Sequence, residues 1–312
     1  MRPEFFVDAL LIGVAMVWGG SFLAAKDLTA AVGVPATLAL RFLVAAVALG
    51  LVVLFRREQL PRGRALVVAL GLGLSQAAVI ALETAGVHGT SATNAGVLIS
   101  LSLILTPFLE GLASRTWLPA QYFVAAFAAI VGVGLLVSNG GLRPPSVGDL
   151  LVISAAVVRA VHVTASAGLL RSDSAGSLGV VLVQMTVCAT VFGVGAGDAL
   201  PAAVMQLTLR AWFDVLFLGL LCSVFAFVVQ LWAVRRTSAS RASILMGTEP
   251  VWALLIGVAL AGESIGGAGI AGAALVVAAS YAGQGIERRH RRSRTPRLDR
   301  SVGARTGMTG EL

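Results

Sequence analysis

Few residues in this chain are equipped for chemistry, and those few lie in apolar surroundings. Glu249, followed at once by Pro250, falls inside an almost wholly apolar run from Ala242 to Ala261. An unpaired carboxylate in the middle of a bilayer costs several kcal/mol. A proline there removes a backbone donor and frees carbonyls that must face other helices or water. A simple anchor has no use for either, so the pair points to a polar cavity between helices. Arg159 and His162 are three residues apart in another apolar run and so share one helix face. Span counting puts Arg159, His162 and Glu249 nearest one depth, with Lys26, Arg41 and Glu83 displaced to one side and Glu110 to the other. The expectation is that Arg159 meets Glu249 across two packed helices. Such a pair either locks the helices together or is broken by a competing charge. Lys26, Arg41 and Pro250 stand where such helices would hinge or gate. Trp18, well inside its span, suits a cavity wall, and Ser21 and Gln230 are polar groups that suit the same lining.

The elements that must hold these residues follow from composition. Of 312 residues 57% are hydrophobic and 12% charged, against about a quarter charged in soluble domains. The mean hydropathy is +0.91. Apolar runs of about twenty residues, the length that crosses a bilayer core, recur throughout. This predicts an all-α integral membrane protein. The alternating short segments of a membrane barrel are absent. Ten spans are expected at about 8–27, 36–55, 65–87, 91–113, 120–138, 149–170, 176–196, 212–234, 240–261 and 266–286. The run after the N-terminal Met reads as a retained first helix, because its leader carries Glu4 and Asp8 and its apolar stretch is long. Cys188 and Cys222 sit inside apolar runs and read as small buried hydrophobes, not as a disulfide or part of a metal set.

Charge sets the orientation. The net charge of +8 comes from arginines in short loops and in the tail, not from one face of a soluble domain, which excludes a nucleic-acid partner. Alternate loops hold Arg56, Arg57, Arg62 and Arg64, then Arg115, Arg171, and Arg235 with Arg236. The basic side is cytoplasmic, so both termini are expected in the cytoplasm of a multi-pass protein of the cell's inner membrane. The segment 287–312 opens on ERRHRRSR and is expected to be a disordered basic tail.

The chain also repeats itself. TSATNAGVLISLSL from Thr90 aligns without gaps on TSASRASILMGTEP from Thr237, and at that offset Glu83 falls on Gln230. Asp8 falls on Asp149 at a nearby offset, which sets Trp18 against Arg159 and Ser21 against His162. The units are 1–138 and 149–286, five spans each. Five is odd, so the second unit is expected upside down relative to the first. Inverted repeats of this kind place a substrate site near the midplane between the halves, with alternating access by rocking.

WGGSFLAAK at Trp18–Lys26, PATLALRFLVAA at Pro35–Ala46, TSATNAGVLISL, TSASRASILMGTEPVWALLIGVALAGE and GIAGAALVVAA together resemble the EamA type of the drug/metabolite transporter superfamily, over nearly the whole chain. The resemblance implies ten helices and a secondary transporter, often an exporter, of amino acids, other small metabolites or drugs. Arg159 and Glu83 depart from the apolar residues usual at their places, and each adds an ionisable group near the expected path. The site residues implied are Trp18, Ser21, Glu83, Arg159, His162, Gln230 and Glu249, with Glu249, Pro250, Lys26 and Arg41 in coupling or gating. Energy is expected from a gradient, with protons as coupling ion, because no GxxxxGK[ST] string is present; no cofactor is expected. Gly266, Gly267, Gly269 and Gly272 give the last span a small-residue face for close packing, within the chain or in a homodimer. A membrane-embedded enzyme is the rival reading, since Gly195 to Asp198 matches the GxGD string of intramembrane aspartyl proteases. That chemistry needs a second aspartate at the same depth, and no span supplies one. A scaffold without transport would have no need of the internal repeat.

Overall fold

The computed structural model describes residues 3–89, 98–137, 146–170, 176–261 and 266–294, and no strand occurs among them. The helices are α1 (Pro3–Val32), α2 (Val34–Phe55), α3 (Arg64–Gly89), α4 (Ser102–Ser114), α5 (Ala120–Val137), α6 (Val147–Leu169), α7 (Ser177–Ala196), α8 (Ala199–Gln206), α9 (Leu209–Leu216), α10 (Ala226–Arg236), α11 (Ala239–Met246), α12 (Glu249–Ala261) and α13 (Gly267–Arg294). A π-helical segment, Phe217–Phe225, joins α9 to α10 into one rod. Among the described residues, seven helices are long and apolar enough to cross a membrane: α1, α2, α3, α6, α7, the α9–α10 rod and α13. α4 and α5 are shorter apolar helices. Large apolar side chains crowd the outside of the bundle, Phe55, Val124 and Val194 among them, as hydrocarbon contact requires.

Local signals set several boundaries. Gly33, with φ 77°, separates α1 from α2, and Pro35 follows in the first turn of α2, where a missing N–H is harmless. Ser146 caps α6 through a capping box: its Oγ accepts from Asp149 N at 3.3 Å while Asp149 Oδ2 accepts from Ser146 N at 2.6 Å. The last helix overruns its expected end. α13 continues to Arg294, so the ERRHRRSR stretch assigned above to a disordered tail is helical, and residues 295–312 lie outside the described residues.

Packing follows the sequence repeat. α5 packs on α13 and α2 on α7, each pair joining corresponding helices of the two units. α3 packs on α6 as the α9–α10 rod packs on α1; α4 packs on α6 as α12 packs on α1. At the α5–α13 seam a Cβ added to Gly132 would lie 2.9 Å from Gly272 O. Part of the small-residue face of α13 is therefore used inside the chain.

The expected ninth span is not one helix. Gly247 and Thr248 form a turn between α11 and α12. Glu249 and Pro250 thus open a new helix, and the proline occupies a first-turn position instead of kinking a continuous rod. The expected fourth span is interrupted at the matching place: Leu98 and Ile99 are helical, Ser100 and Leu101 turn, and α4 starts at Ser102. Both turns tighten to i→i−3 bonding. Leu101 N donates to Leu98 O at 3.1 Å, and Thr248 N to Leu245 O at 3.3 Å. Ile104 N donates to Leu101 O, and Val251 N to Thr248 O, both at 3.0 Å. These pairs are separated by the same offset that aligns Thr90 with Thr237.

Gly132→Leu should overpack the α5–α13 seam and lower stability by about 1–3 kcal/mol, read as a lower melting temperature of the detergent-solubilised protein. Gly168→Leu, where a Cβ meets nothing within 4 Å, should leave it close to wild type.

Candidate functional site

The α11–α12 turn faces a small set of charges. Glu249, half-buried at the start of α12, sits where unbonded N–H groups and the helix dipole favour an anion. Glu249 feels the charges of Arg159, Glu83 and Arg41. Arg159, on α6, does not pair with it. The Arg159 guanidinium instead donates through Nη2 to Glu83 Oε2 on α3 at 2.6 Å, with both side chains about a quarter exposed. This corrects the expected Arg159–Glu249 pair. α3 and α6 pack along their length, which brings Glu83 against Arg159 first, while the chain break before Glu249 sets that carboxylate at the end of a separate helix.

Arg41, on α2, binds the π-helical segment. Arg41 Nε donates to Ser223 Oγ at 2.8 Å, and its Nη2 reaches Cys222 O at 3.4 Å. The side chain of Lys26 lies outside the described residues. Cys222 O also accepts from Trp18 Nε1 at 2.9 Å. A π-helical winding spoils the ordinary i→i−4 ladder, and here the carbonyl of Cys222 binds side chains from α1 and α2. Ser223 Oγ donates in turn to Leu218 O at 2.9 Å. Trp18 packs on Phe227, ring centroids 5.6 Å apart, so it does line the interior between α1 and the rod. Ser21 Oγ donates to Trp18 O of its own helix at 2.7 Å, a local bond that any helical serine can make.

His162 lies one turn from Arg159, buried. Its Nδ1 is 2.8 Å from Ser75 Oγ on α3. With Ser166, Gln184, Phe227, Gln230, Leu231 and Val234 it lines a small enclosed cavity. Gln230 thus stands in a cavity wall. Gln184, which sequence reasoning missed, contributes a buried Nε2 with no hydrogen-bond partner among the described residues. An amide buried on an otherwise apolar helix was the available signal. Trp232 belongs to neither place: it packs edge-on to Phe6 and under the Arg236 guanidinium, 4.6 Å away.

The geometry is that of a polar centre walled by α1, α2, α3, α6, the rod and α12, and a model of one protein family covers it. The EamA-like transporter family model matches twice, over residues 5–138 and 146–282. The chain belongs to the EamA-like transporter family. An "Uncharacterized transporter" of Archaeoglobus fulgidus is 28% identical over 87% of this chain and 95% of its own length. The "Uncharacterized transporter YyaM" of Bacillus subtilis is 22% identical over 80% of this chain and 85% of its own. A crystal structure superposes with a TM-score of 0.74 at 18% identity, over 91% of this chain and 98% of that one, a likeness of fold. As a member of this family the chain is a multi-pass membrane transporter of small molecules.

The Arg159–Glu83 pair is directly measurable. A double-mutant cycle of Glu83→Gln and Arg159→Gln, read from thermal unfolding in detergent, should give a coupling of about 1–3 kcal/mol. The same cycle between Glu249→Gln and Arg159→Gln should give a smaller value.

Proposed function

We propose that this EamA-like chain is a secondary-active exporter that moves a small charged or zwitterionic metabolite, an amino acid or drug-like solute among them, by alternating access. The observation that carries the reading is the pair of helix interruptions at the same place in each repeat. Discontinuous helices in corresponding positions of two halves are the mark of a transporter binding site. One interruption opens directly on Glu249, which feels the charges of Arg159 and Glu83.

Ten crossings account for the seven long helices, the shorter α4 and α5 with the segment before α4, and the broken α11–α12 pair. Five crossings per repeat invert the second unit, and the matched packing of α3 on α6 and of the rod on α1 supports that inversion. The arginine-rich loops put the ends of the chain in the cytoplasm. Among the described residues, and beside the mutually paired Arg159 and Glu83, the polar centre offers a carboxylate, Glu249, and a cation, Arg41, held by hydroxyl and carbonyl groups. A solute with an ammonium and an acidic group can answer both. Trp18 supplies an aromatic wall, and His162, Gln184 and Gln230 supply neutral polar groups. Glu249 exchanges its proton between the two access states, in the field of Glu83, Arg41 and Arg159, and so couples export to proton entry.

The test begins with a metabolite comparison of cells with and without the protein, to choose a solute, and continues in proteoliposomes. Labelled solute should accumulate by counterflow against its gradient, and more strongly when a pH gradient is imposed. Glu249→Gln should keep counterflow but lose the response to the pH gradient. Passive equilibration without counterflow would make the protein a channel, and an unaltered pH response in the variant would remove Glu249 from coupling.

A further inference from the structure

We propose that Asp8 and Arg241 form the bolt of a gate at one end of the bundle. The inference rests on the carrier reading, because a gate needs a path. Arg241, at the start of α11, is 4% exposed, and Asp8, near the start of α1, is 6% exposed. Arg241 Nε and Nη2 reach Asp8 Oδ1 at 2.9 and 2.6 Å, and Nη2 reaches Oδ2 at 2.7 Å. Arg288 of α13 joins the same carboxylate at 3.2 Å.

The bolt is set in a frame of further polar bonds. Ser238 Oγ accepts from Arg241 N at 3.0 Å and donates to Glu287 Oε1 at 2.8 Å. Glu287, 1% exposed, pairs with Arg291 one turn on. Glu110 Oε2 on α4 accepts from Ser240 N at 2.8 Å and from Ser240 Oγ at 2.5 Å. Tyr122 on α5 donates its hydroxyl to Ser240 O at 2.8 Å. The network ties helices of both repeats, α4 and α5 of the first to α11 and α13 of the second, with α1 across them. Any rocking of one repeat against the other at this end must part Asp8 from Arg241.

The opposite end is different. Asp27 lies about 28 Å further along α1 at 1.5 Å per residue. It meets Arg210 at the start of α9 at 3.0 Å, but that arginine side chain is 81% exposed. An exposed pair is screened and contributes little, whereas parting a buried pair leaves charge without a partner in a low dielectric. The resting protein is therefore closed at the Asp8 end and opens there only when the whole network is parted together.

Labelling of an introduced thiol tests this without any substrate, so its result is separate from that of the transport assay. Ser243, buried two residues beyond Arg241, carries the probe as Ser243→Cys, with labelling of the parent cysteines subtracted. Membrane vesicles of defined sidedness are treated with an impermeant maleimide from the Asp8 side. Asp8→Asn should raise the labelling rate about tenfold, a shift typical of a two-state equilibrium losing one bias. The exchange Asp8→Arg with Arg241→Asp should return it toward the parent rate. Asp27→Asn, which removes only the exposed pair with Arg210, should leave labelling from the Asp8 side close to the parent rate. Parent-rate labelling in a well-folded Asp8→Asn protein would overturn the bolt. Should that variant not fold, Arg241→Gln takes its place, and parent-rate labelling there overturns the bolt.

Discussion

A charge inside a membrane bundle must be paired or wet, and that constraint arranges this protein. Its interior charges fall into two groups with opposite solutions. Around Asp8 and Arg241 the groups are nearly water-free, bidentate and framed by hydroxyls, so they are matched within the protein. Around Arg159, Glu83, Arg41 and Glu249 the groups stay partly exposed and are matched less completely. The first arrangement holds helices together. The second leaves binding capacity unspent where a solute can reach it.

Backbone groups obey the same rule. A continuous transmembrane helix satisfies its own N–H and C=O groups and offers nothing to a ligand. Among the described residues the helices are interrupted at a few places, and polar side chains gather at two of them. The turn before α12 presents Glu249 at a helix start. The π-helical segment yields the Cys222 carbonyl to Trp18 and Arg41. The irregularities belong to the polar centre and are tolerated because it is lined with donors and acceptors.

Much of this was legible in the residues. Apolar runs marked the membrane helices, and the alignment of the Thr90 and Thr237 strings marked two stretches as equivalent, though each reads as one continuous span by hydropathy. What hydropathy could not carry was partner choice. Counting depth treats every span as an upright rod, so Glu249 and Arg159 looked level and Glu83 looked remote. The break at Gly247 and Thr248 and the close packing of α3 on α6 reverse that ranking. Arg241 was passed over because it stands at the edge of an apolar run, where cations normally reach water; its burial comes from three helices closing over it. The basic stretch from Glu287 met a compositional rule for disorder, yet Arg288 and Arg291 find carboxylates on neighbouring helices, and that pairing depends on tertiary contact.

The wide winding of Phe217–Phe225 also fixes the phase of everything after it. A π-helical stretch holds surplus residues relative to an α-helix of the same length, and each residue turns an α-helix by about 100°. A single-codon deletion within the segment would tighten the winding and swing α10 round its axis, carrying Gln230 and Phe227 off the cavity they line. In a lineage of such proteins, length changes here would be read out as altered solute choice without any substitution at the polar centre itself.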